Sequence, residues 1–227
     1  YDDNSALVMF LRYYADFASY AQIYKNNKFS VRCIKGEPPI ANKSKMVEAS
    51  PIKDSRDGLV YRTVKIGNQT WMAENLNFRT PKSFCYGDSE KNCSTYGRFY
   101  TWAEAMDSAG VFSKNAERCG DGKNCITTYP VRGICPAGFH LPSPSEWETL
   151  FNAVGWQFIA GSVLKSKKGW INDGNGTDSF GFSAIPAGLG SGIDREEGKS
   201  ANFWCSQEVD DKNFYYVKLK HDAFNVD

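Results

Sequence analysis

The seven cysteines are Cys33, Cys85, Cys93, Cys119, Cys125, Cys135 and Cys205. Two pairs are local. FCYGDSEKNC holds Cys85 and Cys93 eight apart, and RCGDGKNC holds Cys119 and Cys125 six apart. Zinc sites favour C-x2-4-C knuckles with histidine partners. These spacings are longer, and the two histidines, His140 and His221, lie elsewhere. Both segments are rich in Gly, Asp, Asn, Ser and Lys, which marks loops. The better reading is small disulfide-stapled loops, and disulfides imply an oxidising compartment and export. An odd cysteine remains whatever the pairing.

Other side chains offer less. The loop NDGNGTD places Asn172, Asp173, Asn175, Thr177 and Asp178 between glycines. Alternating oxygen ligands of this kind suit Ca2+, but the EF-hand spacing and its closing Glu are missing. The same residues build any tight loop, and that reading leads. His140, between Phe139 and Leu141, reads as a core histidine rather than a base. Glu146 and Glu148 stand at i and i+2 and cannot face each other on a helix. Glu146 is better explained as a helix cap, and Glu74 as an acceptor for nearby backbone N–H groups. No Ser/His/Asp set, P-loop or HExxH occurs. No catalytic residue is assigned, and the chain is read as a non-enzyme.

The elements that hold these residues follow from pattern. With 227 residues and 41% hydrophobic content, the chain can bury a real core. A net charge of +1 argues against a nucleic-acid footprint. No apolar run approaches the ~20 residues needed to span a bilayer. Tyr1 is not a natural start, so a chain that is mature, proteolysed or cut from something longer is expected. LVYRTVKIGNQTWMAENLNF (59–78) reads as a hairpin with Gly67-Asn68 at its turn. GRFYTWAEAMDSAG (97–110) reads as a short helix capped by Thr101 and Glu104, ending near Gly110. The segment 141–155 is the clearest helix. Ser143 is its N-cap, Pro144 its first residue and Glu146 its third, with Trp147, Leu150, Phe151 and Val154 as the buried stripe. FSVRCI (29–34) and NFYYVKLK (213–220) read as strands, and 156–227 otherwise as loops and short strands. Residues 37–53, polar and Pro-containing, read as a linker. The fold class is therefore α+β, with small irregular antiparallel sheets, two short helices and long disulfide-stapled loops.

Residues 1–14 and 209–222 also resemble each other. Asp2 and Asp3 fall on Asp210 and Asp211, Leu11 on Leu219, and Arg12 on Lys220, at a constant offset of 208. The motifs TVKIGNQTWMAENLN (63–77), GRFYTWAEAM (97–106), GICPAGFHLPSPSEWETL (133–150), DGNGTDSFGFSAIPAG (173–188) and FWCSQE (203–208) stand together with FSVRC (29–33). This set resembles the Fibrobacter succinogenes major paralogous domain, a repeated domain of exported bacterial proteins. In that family FSVRC closes the domain, whereas here it comes first. The resemblance implies that residues 1–36 are the tail strands of a preceding repeat. Residues 54–227 would then be a C-type-lectin-like domain lacking its own closing strand, with 37–53 as the linker between them.

That resemblance carries further expectations. It implies a Cys33–Cys135 bridge, leaving Cys205 over. The CPAGFHLPSPSEWE block is more distantly similar to formylglycine-generating enzymes, whose paired thiolates hold copper. Trp204-Cys205 resembles the first of that pair, but no cysteine stands near Asp210, so the enzymatic reading is disfavoured. The family's tail is rich in Tyr, Asn and Asp. Tyr13, Tyr14, Tyr20 and Tyr24, with Trp204, are candidate ligand contacts, because such rings stack on sugars or proteins at low entropic cost. The tyrosines would equally serve as cover for a sheet. The expected function is an extracellular or cell-surface module for adhesion, binding a glycan or protein ligand. The alternative is a structural unit of a tandem array or fibre, in which residues 1–34 complete a sheet by strand donation. No cofactor is implied beyond Ca2+ at Asn172, Asp173, Asn175 and Asp178, and neither nucleic acid nor a membrane span is expected.

Overall fold

The computed structural model describes residues 27–35, 47–120, 125–190, 196–208 and 214–222, together with 5–12 and 18–24; for 5–12, 18–24, 158 and 214–216 it describes the backbone alone. In chain order the elements are β1 (Ser5–Arg12), β2 (Ala18–Tyr24), β3 (Ile34–Lys35), β4 (Val47–Lys53), β5 (Val60–Ile66), β6 (Gln69–Met72), α1 (Glu90–Tyr96), α2 (Trp102–Ala105), β7 (Ala116–Glu117), β8 (Ile126–Thr127), α3 (Pro144–Val154), α4 (Gln157–Leu164), β9 (Ser200–Glu208) and β10 (Phe214–Lys220). The fold is α+β. One sheet has the order β3-β6-β5-β4, a second is built from β10, β9, β1 and β2, and β7 with β8 forms a two-stranded ribbon.

Local chemistry places these elements. β5 turns into β6 through Gly67, whose φ of 63° suits the turn, and pairs with it from Thr63↔Met72 to Ile66↔Gln69. A capping box starts α3. Ser143 Oγ accepts from Glu146 N, Glu146 Oε2 accepts from Ser143 N at 2.8 Å, and Gly155 ends the helix at φ 109°. Thr101 and Glu104 cap α2 in the same way.

Three sequence expectations change. Residues 47–53, expected as part of a linker, form strand β4 against β5. β4 is the edge of its sheet and mostly exposed, which is why a polar, Pro-containing stretch can be a strand. The helices number four among the described residues rather than two. α1 hides in a short stapled loop, and α4 (QFIAGSVL) carries a glycine and no polar face to set a period. Residues 29–34 are less regular than a strand. Phe29 bridges Tyr100, Ser30 bridges Phe203, and Ile34 alone joins a ladder, opposite Trp71.

Two apolar clusters fill the interior. In the first, Trp71 and Trp147 lie 4.6 Å apart between centroids, with Phe182 and Phe203 against them. The second gathers Phe29, Val31, Cys33, Tyr100, Trp102, Cys135 and Trp204. Phe29, Val31, Cys33 and Ile34 are 0% exposed, so the 29–34 stretch is a structural part of the core. Disulfides join Cys33 to Cys135, Cys85 to Cys93 and Cys119 to Cys125, and Cys205 is a buried thiol.

Candidate functional site

Arg32 is among the largest fully buried side chains. It is 1% exposed, and it donates to four neutral acceptors. Nε donates to Asn75 Oδ1 at 2.7 Å, Nη1 to the carbonyls of Met72 and Phe182 at 2.9 and 2.8 Å, and Nη2 to that of Ser183 at 3.2 Å. Its plane lies over the Phe182 ring at 5.0 Å. Burial pulls its pKa down to about 9, so it remains a cation at neutral pH. Asn75 spends its amide on Ser30 Oγ and Tyr96 O. Arg32 and Asn75 thus weld the 29–34 stretch to the segment after β6 and form the floor of a surface groove.

The groove consists of two adjoining hollows of about 290 and 440 Å3, which share Leu59, Asn77, Cys93 and Ser94. Its walls come from the start of β5, the ENLN segment after β6, and α1 with the residues that follow. Glu74 Oε2 accepts from Arg62 N at 2.7 Å, the structural role the sequence suggests for it. Gly97, at φ 73°, lets the chain cross here. A Cβ at Gly97 would lie 2.7 Å from Asn75 Cβ and 2.9 Å from Leu76 O. Arg98 follows. Its backbone N–H binds Leu76 O at 3.0 Å, and one guanidinium nitrogen meets Glu90 Oε2 in a short contact. Arg79 reaches the same carboxylate at 3.9 Å.

Two atoms in this groove have no hydrogen-bond partner. Arg98 Nε is buried and unpaired, in a residue 5% exposed, and Asn77 Oδ1 is likewise buried and unpaired. Asn77's own N–H is spent on the Tyr61 hydroxyl at 3.1 Å. The residues that carry this unpaired donor and acceptor therefore line one concavity, with the two atoms themselves just beneath its surface. Its second hollow carries two acids, Asp57 and Glu90, and two bases, Arg79 and Arg98. Such a wall has no net sign to attract an ion, but it has polar groups on which a hydroxyl can both donate and accept. A larger hollow, about 700 Å3, lies between residues 78–82 and 101–112 and is mostly apolar, with Phe78, Pro81, Val111 and Ile134 in its wall.

The residues singled out in the sequence fare differently. Trp204 is a correction: it is 1% exposed, its Nε1 donates to Tyr100 O at 2.9 Å, and its ring lies 4.6 Å from Phe29. It is a core tryptophan, its ring covered by the protein. Ser200 to Ser206 are all buried, so both faces of β9 are interior along this stretch. Tyr13 and Tyr14 lie outside the described residues. Tyr20 and Tyr24 fall on β2, opposite Met9 and Ser5, and their side chains are outside the described set.

The loop residues serve the loop. Asn175 Oδ1 accepts from Trp170 N at 3.1 Å. Asp178 accepts from Ser183 N and Oγ at 2.7 and 2.6 Å. Asn172, Asp173 and Asp178 take the left-handed backbone of tight turns, at φ 50°, 58° and 47°. Asp173 and Asp178 join no three-ligand cluster of His, Cys, Asp or Glu. Among the described residues such a cluster is Cys85, Glu90 and Cys93, and its two sulfurs are bonded to each other.

His140 and Glu146 form a buried pair, Nε2 to Oε1 at 2.8 Å. Burial alone would raise the Glu146 pKa, but the His140 bond and charge, with the Ser143 N–H and hydroxyl, hold it below its ordinary value. Burial, reinforced by the Glu146 charge, pushes the Cys205 thiol well up, so the thiolate that would bind a metal is disfavoured.

Asn77, Arg98 and Glu90 were not singled out by their chemistry. Their motifs were visible in the sequence, but an unpaired atom has no sequence signature. A family model described as the Fibrobacter succinogenes major domain matches residues 64–226. No curated protein and no solved structure matches the chain. The matched segment contains the ENLN and Gly97-Arg98 walls of the groove, whereas the buried 29–34 stretch lies before it. On a match that spans most of its length, the chain belongs to the Fibrobacter succinogenes major domain family.

Proposed function

We propose that this chain is an exported, non-catalytic binding module with a C-type-lectin-like arrangement, and that its groove takes a neutral polyhydroxylated ligand, a glycan. The carrying observation is the pair of unpaired groove atoms, Asn77 Oδ1 and Arg98 Nε. Small rotations of the Asn77 and Arg98 side chains bring these two atoms to the groove surface, where a sugar hydroxyl donates to the first and a ring or hydroxyl oxygen accepts from the second, each bond replacing an unmet one. Export is supported by three disulfides, and no helix among the described residues is long and apolar enough to cross a membrane. A non-catalytic role is supported by how the chemistry-bearing groups are held. His140 is bonded to a capping carboxylate, and Cys205 is a buried, protonated thiol.

The test is a glycan array, followed by titration calorimetry on the strongest hit. Asn77→Ala or Arg98→Ala lowers affinity about tenfold, the effect of one lost hydrogen bond at about 1.4 kcal/mol. A Tyr13→Ala/Tyr14→Ala variant is run alongside. If it alone abolishes binding, the site belongs to the tail tyrosines, and if no glycan binds, the reading fails.

A further inference from the structure

The larger hollow beside α2 takes no part in the polar chemistry of the groove. At about 700 Å3 it has the size of a small-molecule site. Ile134, 1% exposed, lies at its bottom, and Val111, 69% exposed, stands at its mouth.

Its shape is held from within. Thr80 Oγ1 donates to Glu104 Oε1 at 2.6 Å and ties the 78–82 segment to α2. Thr80 N donates to Ser83 Oγ at 2.8 Å and Ser83 N to Thr80 Oγ1 at 3.1 Å, so this lip is a closed turn. Asp107 accepts the N–H groups of Val111, Phe112 and Ser113 at 2.9, 2.6 and 2.7 Å, which fixes the other wall. Phe78 and Phe112 join the two walls edge to face, with 5.4 Å between centroids. A hollow braced in this way is preformed, and a ligand entering it need order little of the protein.

The same bonds decide the sign of that ligand. The two acids of the wall are engaged by the wall itself. Glu104 accepts from Thr80 Oγ1 and from Thr101 N and Oγ1, and Asp107 from its three N–H groups. The two bases are far less engaged. The Arg79 side chain is 76% exposed and reaches Glu90 only at 3.9 Å. Lys82 is exposed and makes no ion pair among the described residues. The rim therefore has cationic donors to offer above an apolar floor.

We propose that this hollow binds a small amphipathic carboxylic acid, with its apolar body on Ile134, Phe78 and Val111 and its carboxylate at Lys82 and Arg79. The inference goes beyond the glycan reading and is independent of it. The groove shares Phe78 and Arg79 with this hollow, but Asn77 and Arg98, on which the glycan reading rests, do not line it.

The experiment is calorimetric titration of the full chain at neutral pH with decanoate, below its micelle-forming concentration. Decanol and decyltrimethylammonium are titrated alongside, as the same chain with a neutral and a cationic head. Decanoate is expected to bind about tenfold more tightly than decanol, and the cation least. Equal binding of all three, tighter binding of the cation, or no binding of decanoate overturns the proposal. Two substitutions at exposed positions locate the site. Lys82→Glu and Val111→Asp should each lower decanoate affinity about tenfold with the melting temperature unchanged. Full affinity in either variant overturns the proposal. So does a dimer that decanoate fails to dissociate and Val111→Asp abolishes, because a second copy would then fill the hollow. Glycan affinity is unchanged in Lys82→Glu, since Lys82 lines neither part of the groove, so this inference and the glycan reading fail separately.

Discussion

Two regions of this protein have the same ingredients and opposite character. Each has a glutamate in the first turn of a helix, a basic partner and a disulfide. Around α3, Glu146 is buried and every oxygen is engaged, by His140, Ser143 N and Ser143 Oγ. Beside it, His140 exchanges both backbone bonds with Ile34, at 2.6 and 2.7 Å, next to the Cys33–Cys135 bridge. Around α1, the Glu90 side chain is 63% exposed, and its partner Arg98 keeps an unpaired buried Nε. A polar cluster satisfied from within fixes the fold, whereas one left incomplete at a groove wall has capacity for something from outside. The buried cluster therefore reads as framework and the exposed one as a site.

The largest expected effect separates the disulfides of the two regions. Cys33–Cys135 closes a loop 102 residues long and Cys85–Cys93 one of 8. Paired alanine substitutions should cost about 4–5 kcal/mol for the first and about 2–3 kcal/mol for the second, read from denaturant midpoints. Equal costs would mean that the 29–34 stretch is not the clamp its burial indicates.

Next comes Glu146→Gln. It removes the carboxylate that pairs with His140 and leaves buried donors short of an acceptor, at about 3 kcal/mol. The pH dependence follows from the direction of its shift. Because its folded pKa lies below the ordinary value of 4.5, its contribution is complete above that pH and is lost as pH falls through the lower folded value. The melting temperature of the natural chain should fall on acidification below about 4.5, and that part of the slope should be missing in Glu146→Gln. An unchanged slope would remove Glu146 from the framework.

The same contrast governs what the sequence reveals. α3 is legible because Ser143, Pro144, Glu146 and Gly155 each solve a local problem at a helix end. The short disulfides are legible because loop spacing is local. The Cys33–Cys135 bond is not local, and its expectation rests on resemblance. The burial of Trp204 is not legible, because exposure depends on both faces of β9 and one strand cannot report what covers it. The groove is invisible for a stronger reason: whether Arg98 Nε has a partner depends on Glu90 and on the Leu76-Asn77 stretch, two separate segments, converging on it.

Two smaller effects sharpen the site half of the comparison. Gly97→Ala places a methyl 2.7 Å from Asn75 Cβ at a φ of 73°, and should cost about 2 kcal/mol while deforming the groove. Asn77→Ala is the finest probe. In a satisfied cluster, deleting a polar group strands its partner. Here the Asn77 Oδ1 has none to strand, and the backbone N–H that binds Tyr61 survives the substitution. Removing a buried, unpaired acceptor relieves a desolvation cost, so stability should stay within about 0.5 kcal/mol or rise. Glycan affinity should nevertheless fall about tenfold. A drop in melting temperature as large as that of Glu146→Gln would show that Asn77 is framework after all, and would dissolve the distinction between the two regions.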